Sequence, residues 1–94
     1  MQKVEIITEK RSIGLVIEMI EKCGVTGYTL VPNVTGKGKR GVKHGDDLND
    51  VFINGMLITV CEETIAEAIV KEIKVFLQDV SGVCFVTDVK YVVH

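Results

Sequence analysis

The sequence predicts an α+β fold in which an antiparallel four-stranded sheet carries two helices on one of its faces. Four short segments are rich in β-branched and aromatic residues, and two longer segments have apolar residues at helical spacing. Their order along the chain is β-α-β-loop-β-α-β, which is the ferredoxin-like βαββαβ arrangement. Because the chain has 94 residues and no stretch that resembles a linker, we expect a single domain over 1–94.

The first half of the chain is predicted to contain a strand, a helix and a second strand. Residues 3–8 alternate apolar and polar side chains, as a half-buried strand does. A helix is predicted over 11–23, with Ser12 as its N-cap and Gly24 as its C-terminal stop. Residues 28–31 form the second predicted strand, which the following Pro-Asn pair is expected to end.

The second half repeats this order after a long connection. A strand is predicted from Val51 to Cys61, and the two acidic residues that follow it favour the N-terminus of a helix. The apolar stripe of that helix continues to Val80, and Ser81 with Gly82 is expected to end it. The last strand is predicted over 83–93.

The strand predicted over 51–61 is apolar on both of its sides. Ile53 and Leu57 lie on one side, whereas Met56 and Ile58 lie on the other. The face of an antiparallel sheet that is not covered by helices is polar in a monomer. We therefore expect another copy of the chain to cover this face in a closed symmetric assembly.

Basic residues are concentrated in one glycine-rich segment, 35–44. Four of the 11 Lys and Arg residues lie in it with no carboxylate among them, which leaves seven against 13 Asp and Glu elsewhere. A chain that is acidic outside one loop is not favoured as a nucleic-acid-binding protein, because such proteins need a broad basic face.

Residues 36–41, GKGKRG, match the pattern G-x-G-x-x-G. The following residues have no helical periodicity, so the segment is not a dinucleotide-binding fingerprint, and Val42 after the last glycine excludes a P-loop. Glycines still let backbone amides approach an anion, and basic side chains neutralise phosphate. The sequence predicts phosphate binding here, with a solvated hairpin connection as the alternative.

The lack of a recognisable targeting signal and the spacing of the cysteines predict a cytoplasmic protein with reduced thiols. No run of about 18 apolar residues is present, and the N-terminus carries charges where a signal peptide has its apolar region. Cys23, Cys61 and Cys84 are far apart and lie in apolar surroundings, which favours free thiols over disulfides or a metal site.

Two segments resemble a known family. Residues 24–31, GVTGYTLV, followed by 36–40, GKGKR, resemble the G-x-x-G-[IY]-T-[VL] strand and the G-x-G-[RK] loop of PII signal-transduction proteins. Thr8-Glu9-Lys10 resembles the T-E-K motif that follows the first strand in the shorter, divergent PII-like proteins, which regulate bicarbonate transporters or associate with carboxysomes.

The resemblance implies a homotrimer with an adenine-nucleotide site in each cleft between subunits, and no cofactor besides this effector. It implies that a signalling T-loop occupies about 36–50 and docks on a regulated partner, such as a membrane transporter. The nucleotide-binding residues that it implies are Gly27 and Thr29 at the purine, Thr59 and Val60 through their backbones, Gly36, Lys37, Gly38, Lys39, Arg40 and Gly41 at the phosphates, and Gly82 from the neighbouring subunit.

The chain also departs from the family pattern. Ser81-Gly82-Val83 replaces the G-D-G-[KR] turn, and the C-terminal R-x-R pair and the Y-R-G triplet of the loop are absent. Fewer cations favour AMP, ADP or cyclic AMP over ATP, with bicarbonate as a further candidate ligand. Sensing of 2-oxoglutarate and uridylylation are not expected.

Three other functions are weaker alternatives. A metal-responsive trimer of the divalent-cation tolerance type would use His44, His94, Asp46, Asp47 and the cysteines, but no metal-ligand spacing supports it. An RNA-binding domain would need exposed aromatic residues in an RNP-type motif, which is absent. An enzyme is not expected, because no nucleophile and base occur at a useful spacing.

Overall fold

Across residues 1–36 and 53–93, which a computed structural model describes, the chain forms four strands and two helices. They are β1 (Gln2–Glu9), α1 (Ile13–Lys22), β2 (Thr29–Thr35), β3 (Ile53–Cys61), α2 (Glu63–Phe76) and β4 (Gly82–Asp88). The strands form one sheet in the order β2-β3-β1-β4, and every neighbouring pair is antiparallel. The predicted ferredoxin-like α+β arrangement is therefore confirmed.

The two helices cover one face of the sheet and enclose the core there. Alternate residues of the central strands are buried against the helices, as the period of two in a strand requires. The buried apolar residues are Val4, Ile6, Ile13, Val16, Ile20, Val25, Leu57, Cys61, Ala66, Ile69 and Ile73. The helical stripes predicted from the sequence thus pack on the inward residues of β1 and β3.

The start of α1 differs from its prediction, whereas its end matches it. A short 3-10 turn, Lys10–Ser12, precedes the helix, and the Ser12 side chain makes no capping hydrogen bond. At the other end, Gly24 has a φ of 107°, and its N–H donates to the carbonyl of Glu21. The N–H of Val25 donates to Ile20, which completes a Schellman motif. Gly24 therefore ends the helix as predicted.

The strand β2 is longer than predicted. The prediction that Pro32 and Asn33 end it is wrong, because the strand continues to Thr35. The pairing with β3 shifts between Val31 and Val34, which is a β-bulge. An edge strand tolerates proline at a bulge, since no ladder hydrogen bond from its nitrogen is needed there.

The helix α2 and the strand β4 both end earlier than predicted. The helix ends at Phe76 and not at Val80, because the following residues form a turn that returns the chain to the sheet, where Gly82 pairs with Thr8. The strand ends at Asp88, which pairs with Gln2 at the start of β1. Beyond that pair, one more backbone hydrogen bond joins the two segments, from the N–H of Val89 to the carbonyl oxygen of Met1.

The face of the sheet opposite the helices is partly apolar, as the two-sided pattern predicted. Met56 of β3 pairs with Ile7 of β1 and Val31 of β2, and Ile7 also pairs with Val83 of β4. These four residues form an apolar row across all four strands. Phe85, in the neighbouring row, is 50% exposed. We call this surface the open face.

Candidate functional site

One group of predicted site residues meets where β3 ends beside the start of β2. The side chain of Thr59 is buried, and its Oγ1 donates a hydrogen bond to the carbonyl oxygen of Gly27 at 2.7 Å. Thr29 pairs with Ile58 in the β2–β3 ladder. The structure therefore brings together Gly27, Thr29, Thr59 and Val60, which we call the Thr59 cluster.

The Thr59 cluster lies beside accessible surface. Gly27 and Thr29 are exposed, and a Cβ atom added to Gly27 would meet nothing within 4 Å. The side chain of Tyr28 between them is 41% exposed. The hydrogen bond from Thr59 holds the backbone of this segment in place. The edge of the strand stays uncovered, so a ligand has room to lie along it.

Two further predicted residues, Gly36 and Gly82, lie at the opposite end of the sheet. Gly36 follows Thr35, six residues beyond Thr29, which is about 20 Å along an extended strand. Gly82 pairs with Thr8 near the end of β1. One protomer thus holds the Thr59 cluster and this second group, which we call the Gly36 end, at opposite ends of its strands.

Packing inside the protomer accounts for the glycine at position 82. A Cβ atom at Gly82 would lie 2.6 Å from the carbonyl oxygen of Ile7 and 3.0 Å from Cβ of Thr8. Thr8 is itself buried, and its Oγ1 donates to the carbonyl of Ser81 at 2.7 Å. The connection into β4 is therefore fastened against β1, so the need for glycine here does not by itself indicate a ligand.

The remaining predicted residues fall outside the part of the chain that the structure describes. They are Lys37, Gly38, Lys39, Arg40 and Gly41 of the proposed phosphate-binding loop, and His44, Asp46, Asp47 and His94 of the metal alternative. Among residues 1–36 and 53–93 the structure contains no group of three or more His, Cys, Asp or Glu that could hold a metal ion.

Sequence reasoning missed a polar contact at the Gly36 end. Nζ of Lys10 donates a hydrogen bond to Oδ1 of Asn33 at 2.7 Å. The next residue, Arg11, instead forms an ion pair with Glu9 at 3.1 Å. Because Lys10 and Asn33 are distant in sequence and both exposed, no periodic pattern could have indicated the contact.

The three cysteines are free thiols. Cys61 is buried, whereas Cys23 and Cys84 are half-buried. Burial raises the pKa of the Cys61 thiol, and the nearby N-terminal ammonium partly opposes this rise. Burial also raises the pKa of Cys84 and, together with the charge of Glu72, that of Cys23. Their thiols are therefore protonated and weakly nucleophilic at neutral pH.

Comparison with protein families gives a match along the whole chain. The family model described as nitrogen regulatory protein P-II matches residues 1–94. No curated protein sequence matches the chain significantly. Neither helix in the described part of the chain is long and apolar enough to cross a membrane.

Solved structures of PII-like proteins are similar to the chain. CPII, a nitrogen regulatory PII-like protein from Thiomonas intermedia K12, bound to ADP, AMP and bicarbonate, is 31% identical, with a TM-score of 0.79 over 94% of this chain and 84% of CPII. A structure of CPII with ADP and bicarbonate is 32% identical, with the same TM-score and coverage. A PII-like signalling protein from Thermus thermophilus shares the fold at 23% identity, with a TM-score of 0.73 over 92% of this chain and 83% of that chain.

Proposed function

Because the chain belongs to the nitrogen regulatory protein P-II family, we propose that it is a signalling protein that binds an adenine nucleotide, AMP or ADP in preference to ATP. In this proposal it acts by docking on a partner protein through the segment 36–50 and catalyses no reaction. The structures of CPII with ADP and AMP support the choice of ligand, since that protein is about one third identical to this chain.

The observation that carries the proposal is the hydrogen bond from Thr59 to Gly27. It aligns the exposed backbone of Gly27 and Thr29 with the end of β3, so their amide and carbonyl groups have fixed directions. A flat purine with donors and acceptors on its edge is the kind of ligand that such a fixed, open strand edge suits. We assign the base of the nucleotide to the Thr59 cluster.

The phosphates are assigned to the Gly36 end, and this assignment requires two protomers. Within one protomer the two groups are about 20 Å apart along the sheet. A cleft between neighbours can place the Thr59 cluster of one copy beside the Gly36 end of the next. A homotrimer in which the open face is turned inward would both form such clefts and cover the apolar row of Ile7, Met56, Val31 and Val83.

The preference for few phosphates follows from the charge near β4. Ser81-Gly82-Val83 contains no basic residue, and Asp79 just before it is acidic. A triphosphate carries more negative charge than this turn can neutralise. The residues 37–41 would supply the remaining cations, and bicarbonate is proposed as a second ligand because CPII structures contain it with ADP. A membrane transporter of inorganic carbon is the proposed partner.

Calorimetric titration of the protein with AMP, ADP, ATP and cyclic AMP, each with and without bicarbonate, tests the proposal. We expect saturable binding of AMP and ADP, weaker binding of ATP, and no binding of GMP as a control for the base. Absence of binding for every adenine nucleotide would remove the proposal. Equal affinity for GMP and AMP would remove the assignment of the base to the Thr59 cluster.

A further inference from the structure

The position of Lys10 follows from the register of three strands. Lys10 succeeds Glu9, which pairs with Asn54 of β3, and Asn54 pairs with Val34 of β2. Two strand spacings, about 10 Å, separate the ends of this row. Lys10 is therefore level with Thr35, the residue before Gly36, and it lies at the same end of the sheet as Gly82.

The ammonium of Lys10 is directed towards β2, and no carboxylate in the described part of the chain pairs with it. Its hydrogen bond to Asn33 uses one of three N–H donors, and the amide that accepts it is neutral. Within residues 1–36 and 53–93, no carboxylate oxygen lies within 4.0 Å of Nζ of Lys10. The neighbouring Arg11 is bound to Glu9 instead. Lys10 is thus an oriented cation beside the Gly36 end, and two of its donors make no hydrogen bond to residues 1–36 or 53–93.

Building on the proposed function, we propose that Lys10 binds a phosphate group of the adenine nucleotide, and that Asn33 positions it. The turn Ser81-Gly82-Val83 provides no cation for the phosphates. Lys10 supplies one from the opposite side of β1, at the end of a strand and not within the loop. The ammonium of a lysine interacts with phosphate as a point charge. Its distance from the phosphate therefore matters more than its orientation, unlike the planar guanidinium of arginine.

A purely structural role of the same contact predicts different behaviour. If the Lys10–Asn33 hydrogen bond served only to fasten the bulge of β2 to the 3-10 turn, its loss would affect all ligands alike and would lower stability. A phosphate-binding role makes the effect depend on the phosphate. Adenosine, AMP and ADP share the same base and sugar, so they separate the two roles.

The experiment compares Lys10→Gln with Lys22→Gln, which removes the same charge from the exposed last residue of α1. Calorimetry with ADP is expected to show at least about a tenfold weaker affinity for Lys10→Gln, with adenosine unchanged within about twofold. Lys22→Gln is expected to bind both ligands like the wild type. Asn33→Ala, which keeps the charge and removes its anchor, is expected to weaken ADP binding by a smaller factor.

Three outcomes would overturn the inference. If Lys10→Gln and Lys22→Gln bind ADP equally well while the wild type binds it, Lys10 does not contact phosphate although the proposed function stands. If Lys10→Gln loses adenosine and ADP affinity by the same factor, the residue has a structural role. If the wild type binds neither ADP nor AMP, the proposed function fails and this inference with it.

Discussion

The hydroxyl of Thr59 donates to the carbonyl oxygen of Gly27 at 2.7 Å and so joins the end of β3 to the segment that leads into β2. Thr59 occupies an inward position of a strand in which Leu57 and Cys61 on either side are buried and apolar. A buried hydroxyl requires a partner, and the carbonyl of Gly27 provides it. The contact is thus both a part of the fold and the support of the proposed base site.

Replacing Thr59 by valine is predicted to cost about 1–2 kcal/mol of stability, because the isosteric side chain leaves the carbonyl of Gly27 without its donor. Nucleotide affinity is predicted to fall as well, since the strand edge loses its anchor. Urea denaturation and calorimetry measure the two effects. Thr64→Val, at an exposed position of α2, is the control and should change neither. If Thr59→Val binds the nucleotide with unchanged affinity, the hydrogen bond from Thr59 to Gly27 does not support the proposed base site.

Replacing Gly55 by alanine is predicted to destabilise the protein by about 1–3 kcal/mol, as overpacking of a core does. A Cβ atom at Gly55 would lie 2.6 Å from Cγ1 of Ile13, which is itself buried. Gly14→Ala is the matched control, because a Cβ atom at Gly14 meets nothing within 4 Å. In the helix α1 that change should stabilise by about 0.5–1 kcal/mol. Thermal or urea unfolding measures both effects. Equal stability of Gly55→Ala and Gly14→Ala would contradict the packing argument.

Replacing Phe85 by lysine is predicted to break the assembly. Phe85 is 50% exposed on the open face beside Glu5, which can pair with the new ammonium, so the protomer should stay folded. The control is Val75→Lys, at a residue of α2 that is 63% exposed. Light scattering should give about three chain masses for the wild type and for Val75→Lys, and a smaller mass for Phe85→Lys. A wild type that is a stable monomer at micromolar concentration would exclude every site between subunits.

Replacing Lys39 and Arg40 together by alanine is predicted to weaken ADP binding by at least about 2 kcal/mol, since charge-assisted hydrogen bonds contribute about 1.5–3 kcal/mol each. Thermal stability should stay close to that of the wild type, because charged side chains in a glycine-rich segment are not expected to belong to a hydrophobic core. Calorimetry with ADP and a melting curve test both expectations. If the double variant binds ADP as tightly as the wild type, the loop has a docking role only.

Stability is predicted to fall at alkaline pH because of Cys61. Burial raises the pKa of this thiol in the folded protein, so the unfolded chain loses the proton first. The contribution of the Cys61 thiol to stability is complete below its pKa in the unfolded chain, about 8.5. It disappears as the pH rises through the higher pKa of the folded protein. The difference in stability between the wild type and Cys61→Ala should therefore narrow between neutral and alkaline pH. A constant difference in urea denaturation across that range would contradict this prediction.

The order and type of the elements could be predicted because each has its own period in the sequence. Their ends could not, since they depend on partners. The last ladder pair of β4 is Asp88 with Gln2, near the start of β1, and β2 continues past Pro32 because it is an edge strand with a bulge. The end of α2 depends on the distance back to the sheet, which no local pattern records.

The site is predictable to a smaller extent. Gly27 and Thr29 belong to the segment that resembles the PII family, and Thr59 is proposed from the same resemblance. The pairing of Thr59 with Gly27, and of Lys10 with Asn33, depends on how the helices fold the chain back on itself. Such contacts between distant residues leave no periodic signal.

The order β2-β3-β1-β4 has a consequence for how the chain reaches its native state. Neither β-α-β half pairs its own two strands, since β2 hydrogen-bonds only to β3 and β4 only to β1 within the described sheet. The hydroxyls of Thr8 and Thr59 also join the two halves, because each donates a hydrogen bond to the helix-to-strand connection of the other half. A fragment that contains one half alone has no ladder to form, so the two halves must dock before either acquires a sheet. Folding is then a single cooperative event, and the amide protons that are hydrogen-bonded between strands should exchange with solvent through the same global opening.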